Sequence, residues 1–326
     1  MRRLPTITPE QFGRAALITL GALTLIVFTG AAVRLTDSGL GCPTWPKCYG
    51  HVYPPAQGHA LIEFGNRAIS GLVGVITVVI AALAFLRKPF RRDLACLAGL
   101  LPIGVVAQAV LGGFTVREHL APGFVMSHFL LSMVILIAAV ALAWRATHRP
   151  GERPRSTDRA LVWSVRVLAP LGALTIFAGT AATAAGPHSG GLVGQHVHRL
   201  TIMGSNTLEW AVHQHATIAA ILGLAVIGAW LLKRRRNRGL PLDPLEPLTV
   251  LGVLLAAQGL IGSTQYELRL PAEMVWVHVV LATITWVVLL WAVAVEGRLV
   301  PRRSPMPAVS EPEAQSAAAL HSLQRT

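Results

Sequence analysis

Eight long apolar stretches constrain this 326-residue chain more than any other feature. A run of about 20 apolar residues crosses a bilayer as a helix, and runs rich in Leu, Val and Ala favour helices over the alternating strands of a barrel. Only 13% of the residues are charged, against about 25% in a soluble domain. We predict an all-α integral membrane protein with eight transmembrane helices, at residues 15–34, 61–86, 94–114, 122–144, 161–184, 209–232, 247–265 and 272–295.

The net charge of +13 invites comparison with nucleic-acid-binding proteins, but the positions of the charges predict a membrane topology instead. Lys and Arg gather before the first apolar run, after the last one and in alternate connections, which is the positive-inside pattern. We therefore expect a plasma-membrane protein that has both termini in the cytoplasm and binds lipid but no nucleic acid. The internal clusters are Arg87, Lys88, Arg91 and Arg92; Arg145, Arg149, Arg153, Arg155 and Arg159; and Lys233, Arg234, Arg235, Arg236 and Arg238.

The second half of the chain repeats the first. LGALT occurs at 20–24 and again at 171–175, and the pair Gln108 and His128 recurs with the same spacing as Gln258 and His278. EFGNRAISGLVG also aligns with VHQHATIAAILG, which sets Asn66 against His215. These matches predict two pseudo-symmetric four-helix bundles, related by an axis along the membrane normal.

The repeat also sets the expected domain boundaries. We assign a cytoplasmic N-terminal segment to residues 1–14, the N-terminal half to 15–144, a cytoplasmic linker to 145–160 and the C-terminal half to 161–295. Residues 296–326 are rich in Pro, Ala and Ser, a composition that favours a disordered cytoplasmic tail.

Three histidines lie inside the predicted helices at a similar depth. His128, His215 and His278 are each about four to seven residues in from the same side of the membrane, or roughly 6–10 Å along a helix. Ionisable residues within a membrane are costly and usually functional, and neutral imidazole is an axial ligand of haem iron. The alternative for any one of them is a hydrogen bond to a neighbouring helix, whereas zinc is disfavoured because no Cys or carboxylate cluster joins them. We predict that all three bind haem iron; the repeat selects His215 over its neighbour His213.

Five stretches form an ordered set of motifs: GAAVRLTDSGLGCPTWPKCYG (30–50), IEFGNR (62–67), QAVLGGFTV (108–116), QGLIGSTQY (258–266) and VHVVLATITW (277–286). Together they resemble the bacterial haem A synthase family over about residues 15–295. The resemblance implies an enzyme that oxidises the C8 methyl group of haem O to a formyl group, which gives haem A for terminal oxidases. It further implies that one half holds a permanent haem b and the other half holds the substrate.

Three charged residues are candidates for roles in such a site. Glu63 is expected to be catalytic, either relaying protons or stabilising positive charge at the oxidised carbon, with an i,i+4 ion pair to Arg67 as the alternative. Arg34 and Arg67 lie near helix ends, where a guanidinium can pair with a haem propionate. Interfacial snorkelling is the alternative for both arginines.

The three cysteines of the chain fall into two classes. Cys42 and Cys48 frame CPTWPKC in the first outer connection, where oxidising conditions favour a disulfide. The family resemblance connects this pair with turnover, and static bracing of the loop is the open alternative. Cys96, in the third predicted helix, is expected to be a small buried apolar residue.

One departure from the family pattern distinguishes the halves. Many family members have histidine where this chain has Asn66, and asparagine is a poor iron ligand. The N-terminal half then offers His128 as its one firm ligand, whereas His215 and His278 supply one imidazole for each face of a haem. We therefore predict a permanent low-spin haem b in the C-terminal half and haem O beside Glu63 in the N-terminal half.

The sequence is also compatible with two other functions. One is a membrane cytochrome b that only transfers electrons, and the other is a pseudo-symmetric transporter, which leaves the histidines unexplained. The resemblance implies delivery of haem O by haem O synthase and an electron donor that is not identified. Assembly as a homo-oligomer is also open.

Overall fold

A computed structural model of the chain describes residues 6–152, 155–192, 194–238, 241 and 243–299. Within them, eight helices are long and apolar enough to cross a membrane. They are α1 Pro9–Leu35, α2 Gly58–Leu86, α3 Arg92–Arg117, α4 Pro122–Thr147, α5 Arg159–Ala185, α6 Thr207–Arg236, α7 Pro247–Glu267 and α8 Ala272–Glu296. The eight predicted helices are confirmed, and each extends beyond its predicted apolar run, by one residue in α8 and by seven in α1.

Side chains cap three of the helices where they begin. Thr8 and Gln11 form a reciprocal capping box at α1, in which each backbone N–H donates to the other side chain, at 2.9 and 3.2 Å. Asp158 before α5 and Glu246 before α7 each accept the backbone N–H three residues further on, at 3.0 Å. These contacts satisfy donors that the first turn of a helix leaves unpaired.

Each half forms a closed four-helix bundle. Helices α1 to α4 pack in chain order and α4 returns to α1, and helices α5 to α8 repeat this arrangement with α8 returning to α5. Between the halves, α1 packs against α8, α5 against α4, and α4 against α8. Exchanging the halves leaves this set of contacts unchanged, so the predicted pair of pseudo-symmetric bundles is confirmed.

The connections define two ends of the molecule. The disulfide end holds the connections 36–57, 118–121, 186–206 and 268–271, and the basic end holds 87–91, 148–158 and 237–246. At the disulfide end, φ is 48° at His119 and 60° at Leu120, and it is 62° at both Arg269 and Leu270. Residues other than glycine seldom adopt positive φ. Its recurrence at equivalent positions shows that the repeat extends to the backbone of the turns.

Helices α4 and α8 meet at the boundary between the halves. Trp286 of α8 is only 3% exposed, and its indole Nε1 donates to the carbonyl oxygen of Met133 on α4 at 3.0 Å. Within the C-terminal half, Gly172 of α5 permits a close approach to α8, since a Cβ there would lie 2.7 Å from Cδ1 of Leu289. The two halves are therefore joined by a buried hydrogen bond between α8 and α4.

Large apolar side chains cover the outside of the helices. Leu224 is 69% exposed and Ile18 is 66% exposed, and an extensive apolar surface of this kind is rare on soluble proteins. Cys96 is also exposed, on the outside of α3, so the prediction that it is buried is wrong. The physical reason is that lipid accepts a small apolar side chain as readily as a protein core does.

The basic end contains an ion cluster and a short strand pair. Lys233 Nζ of α6 lies 3.0 Å from Glu246 and 2.5 Å from Glu296, the last residue of α8. Strand β1, Arg155–Ser156, pairs in parallel with β2, Arg298–Leu299. The predicted tail at 296–326 thus begins with the end of α8 and β2; residues 300–326 and 1–5 lie outside the described residues.

Candidate functional site

His215 and His278 face each other in the C-terminal half. His215 is the ninth residue of α6 and His278 the seventh of α8, so both lie about 9–12 Å from the helix starts at the disulfide end. Their ring centroids are 6.2 Å apart and their planes are inclined at 69°. His213 is exposed, as expected for a residue turned about 200° from His215 around the helix. The structure therefore brings His215, and not His213, to His278.

A hydrogen bond sets the orientation of the His215 ring. Nδ1 of His215 lies 3.0 Å from the carbonyl oxygen of Thr175 on α5. A carbonyl only accepts hydrogen bonds, so the proton is on Nδ1 and the lone pair is on Nε2. Histidines that bind metals commonly make this contact with their second nitrogen.

A glycine on the neighbouring helix lies against the imidazole of each of the three half-buried histidines. The pairs are Gly112 with His128 (3.3 Å), Gly179 with His215 (3.0 Å) and Gly262 with His278 (3.2 Å), measured from a Cβ built on the glycine to Cε1 of the ring. These distances are shorter than ordinary van der Waals contact. An alanine at any of the three positions would therefore displace the ring.

Asn66 and His128 occupy the equivalent positions in the N-terminal half. Asn66 is the ninth residue of α2 and His128 is the seventh of α4. Oδ1 of Asn66 accepts a hydrogen bond from Thr29 Oγ1 of α1 at 2.7 Å. The N-terminal half therefore has one imidazole and one amide where the C-terminal half has two imidazoles.

Glu63 is buried at the disulfide end of α2, where both of its carboxylate oxygens accept hydrogen bonds. Cys42 N–H donates to one oxygen at 2.6 Å, and Nη2 of Arg67 donates to the other at 2.5 Å. The i,i+4 ion pair that the sequence offered as the alternative role of Glu63 is thus present. Arg67 also donates to the carbonyl oxygens of Cys42 at 3.0 Å and Thr44 at 2.9 Å. The carboxylate is held in one orientation by the loop and the arginine together.

The loop between Cys42 and Cys48 spans the space between α2 and α3. The predicted disulfide is confirmed, and both cysteines are buried. Trp45, at the centre of the loop, packs on Gly113 of α3, where a Cβ would lie 2.9 Å from the indole. Gly113 adjoins Gly112, the glycine against the His128 ring. The loop therefore contacts α2 through Glu63 and Arg67, and it contacts α3 next to the histidine site.

Arg34 joins the two halves at the disulfide end. Its Nε donates to the carbonyl oxygen of His188 at 3.0 Å and its Nη2 to that of Thr183 at 3.1 Å. His188 is half-buried, and its Nε2 lies 2.7 Å from the carbonyl oxygen of Leu270. These contacts link α1 to the connection between α5 and α6. They could not be predicted from the sequence because the bonded residues are far apart along the chain.

Sequence reasoning also missed the glycines that border the imidazoles. QAVLGG and QGLIGS lie at equivalent positions of the two halves, yet the contact of their glycines with the histidines depends on how α3 packs against α4 and how α7 packs against α8. The signal was the shared order of glutamine, glycine and histidine in both halves. Among the described residues, no group of three His, Cys, Asp or Glu side chains has the arrangement of a metal site.

Known proteins resemble this chain over a long segment. The model of the COX15-CtaA family, described as cytochrome oxidase assembly protein, matches residues 13–189, more than half of the chain. Glu63, Asn66, Arg67 and His128 lie inside the matched segment, and His215 and His278 lie beyond it.

Curated relatives include two proteins named heme A synthase. The one from Shewanella oneidensis is 35% identical over 178 residues, which is 49% of this chain and 51% of that protein. The one from Halalkalibacterium halodurans is 33% identical over 129 residues, or 39% of this chain and 41% of that protein. The chain thus spans about half the length of the curated relatives it matches. Because the family model matches more than half of the chain, the chain belongs to the cytochrome oxidase assembly protein family.

Proposed function

We propose that this membrane protein is a haem A synthase, which oxidises the C8 methyl group of haem O to the formyl group of haem A. The observation that carries the proposal is the pair His215 and His278, repeated as Asn66 and His128 at equivalent positions of the other half. The relatives named heme A synthase support the same activity. Haem O would be the substrate, handed over by haem O synthase, and the product would serve terminal oxidases.

The residues of the C-terminal half fit a haem. Metal–imidazole bonds are about 2 Å long, and two imidazoles on opposite sides of one iron have ring centroids about 6 Å apart, close to the 6.2 Å between His215 and His278. The proton on Nδ1 of His215 leaves Nε2 to face a metal. When bound, haem b supplies an iron that exchanges electrons.

The N-terminal half is the proposed substrate site. His128 would hold haem O from one side, and Asn66 would leave the opposite face without a firm ligand. Glu63 lies one helical turn from Asn66 on α2, so the two residues share a helical face. We assign Glu63 the role of taking up a proton or stabilising positive charge at the carbon that is oxidised.

The two arginines have different proposed roles. Most of the donors of Arg67 are directed to Glu63 and the loop, so we assign it first to holding the carboxylate. Arg34 uses Nε and Nη2 for carbonyl groups, and a guanidinium has five N–H donors. Arg34 is therefore our stronger candidate for a haem propionate, which would bind between the two halves.

Pigment extraction tests the function. We expect cells that supply haem O and express this chain to contain haem A in the extracted pigments, and cells that express His128→Ala to contain haem O without haem A. A chain that binds haem but leaves haem O unchanged would instead be an electron-transferring cytochrome b. Liquid chromatography with mass spectrometry distinguishes the methyl and formyl forms.

We further propose that the disulfide end faces outward and that both termini are cytoplasmic, because the basic connections lie at the other end. Tyr53 is 78% exposed at the disulfide end, and the side chain of Arg149 is 86% exposed at the basic end. An impermeant thiol reagent should label Tyr53→Cys in intact cells and Arg149→Cys only after permeabilisation. The opposite pattern would reverse the proposed topology, and Cys96→Ser as the parent chain removes background labelling.

A further inference from the structure

Two glutamines contact the backbone of two of the proposed ligands. Nε2 of Gln108 lies 2.9 Å from the carbonyl oxygen of His128, and Nε2 of Gln258 lies 3.2 Å from that of His278. Since a carbonyl only accepts, the amide nitrogen must be the atom that faces it. The same contact therefore occurs at equivalent residues of both halves, and it leaves each Oε1 free to meet another donor.

Each contact leaves a complementary pair of polar atoms without a partner. Seven buried side-chain nitrogen or oxygen atoms among the described residues lack a hydrogen bond, and four of the seven are Oε1 of Gln108 and Gln258 and Nδ1 of His128 and His278. Oε1 accepts, and a protonated Nδ1 donates. Buried polar groups are nearly always paired in native proteins. Each Gln–His pair thus contains one unpaired acceptor and one unpaired donor, which suits the two atoms to pair with each other.

His215 shows how a ring of this kind is held. Its Nδ1 donates to the carbonyl oxygen of Thr175, four residues before Gly179, the glycine that borders the ring. Gln108 and Gln258 each lie likewise four residues before the glycine that borders their own histidine. The residue one turn before the glycine thus contacts the histidine in all three cases, and on α3 and α7 it carries an amide.

We propose that Gln108 and Gln258 are positioning residues for the iron ligands. Each holds the backbone of its histidine through Nε2. The Oε1 and Nδ1 atoms are not bonded to each other in this structure; on haem binding, Oε1 would accept Nδ1–H and so direct Nε2 of the imidazole to the iron. The inference rests on the proposed binding of haem. A hydrogen bond accepted from Nδ1–H makes the imidazole a stronger electron donor. It therefore stabilises oxidised iron and lowers the reduction potential.

The two glutamines are not held equally. Nε2 of Gln108 also donates to Ser132 Oγ at 2.7 Å, and this hydroxyl lies 3.2 Å from the carbonyl oxygen of His128. The equivalent residue in the C-terminal half is Ala282, which has no hydroxyl. Gln258 thus contacts His278 without a hydroxyl like that of Ser132 beside it, so substitution of Gln258 gives the simpler test.

The test uses the purified full chain with its haem. Gln258→Leu removes the donor and the acceptor at similar size, so we expect a higher reduction potential of the low-spin haem and about 10–100-fold weaker haem retention. Gln258→Glu restores an acceptor and should return the potential to the wild-type value or below it. Gln265→Leu is the matched control, because Gln265 is also on α7 with a buried, unpartnered Oε1 but belongs to no such pair.

An unchanged potential in Gln258→Leu, or an equal shift in Gln265→Leu, would overturn the positioning role and leave haem binding intact. If Gln258→Leu retains no haem, the glutamate variant decides. If Gln258→Glu retains haem with a reduction potential at or below the wild-type value, the positioning role is supported. If Gln258→Glu also loses its haem, the role is overturned. A wild-type chain without low-spin haem would instead overturn the proposed function.

Discussion

Replacing His278 with alanine is expected to abolish the low-spin haem spectrum of the purified chain. His278 lies 6.2 Å from His215 between ring centroids, and a haem held between them would lose one of its two axial imidazoles. Iron with one strong axial ligand no longer has the bis-imidazole environment that favours a low-spin state. Absorption and electron paramagnetic resonance spectra of the oxidised protein measure the change.

His213→Ala is the matched control for this substitution. It removes an imidazole from the same region of the C-terminal half, but from an exposed position of α6, so the low-spin spectrum should persist. His128→Ala should also keep the low-spin spectrum while product formation is lost. A low-spin signal that survives His278→Ala and disappears in His128→Ala would exchange the roles assigned to the two halves.

Glu63→Gln is expected to lower haem A formation by about 10²–10⁴-fold, the usual contribution of a group that transfers protons in catalysis. Glutamine has nearly the same shape and can still accept the Cys42 N–H through its carbonyl oxygen. The charge, the basicity and the acceptor for Arg67 are lost, but the shape of the side chain and the bond from Cys42 are kept. The haem b spectrum and the yield of folded protein should therefore be retained. Product measured by chromatography, relative to bound haem b, gives the effect.

Glu273→Gln serves as the control for loss of a carboxylate at the same end of the molecule. Glu273 is exposed in the first turn of α8, and its replacement should leave product formation unchanged. Full activity of Glu63→Gln would assign Glu63 to the ion pair with Arg67 alone. In that case the carboxylate holds the loop and takes no part in the oxidation.

Local patterns predicted the helices and the histidine positions well. A helix in lipid must satisfy its backbone internally, so hydropathy alone determines where a span runs. The choice of His215 over His213 came from aligning α6 with α2, since residues at equivalent positions face equivalent neighbours. The confirmed pairing of Cys42 with Cys48 was similarly local, because the two residues lie in one short loop.

Contacts between distant segments were not predictable in this way. The bonds from Arg34 to Thr183 and His188 depend on how the two bundles pack together. The periodicity of apolar residues in the sequence carries no information on that packing. The packing of Trp45 on Gly113 is a second example. In the sequence, a glycine that makes room for an indole cannot be distinguished from any other glycine in a helix. The wrong prediction for Cys96 has another cause: apolar character marks a buried face in water but does not separate core from lipid-facing surface.

The exchange-symmetric boundary between the halves has an evolutionary consequence. A four-helix unit that begins and ends on the same side of the membrane can pair with an identical copy through an isologous contact, and the packing of α1 on α8 and α5 on α4 is of this kind. In a dimer encoded by one gene, every substitution would appear in both subunits, so the two sites would stay identical. Once both units are joined in one polypeptide, each drifts separately. Asn66 can then differ from His215, and the two halves are free to acquire the different roles proposed for them.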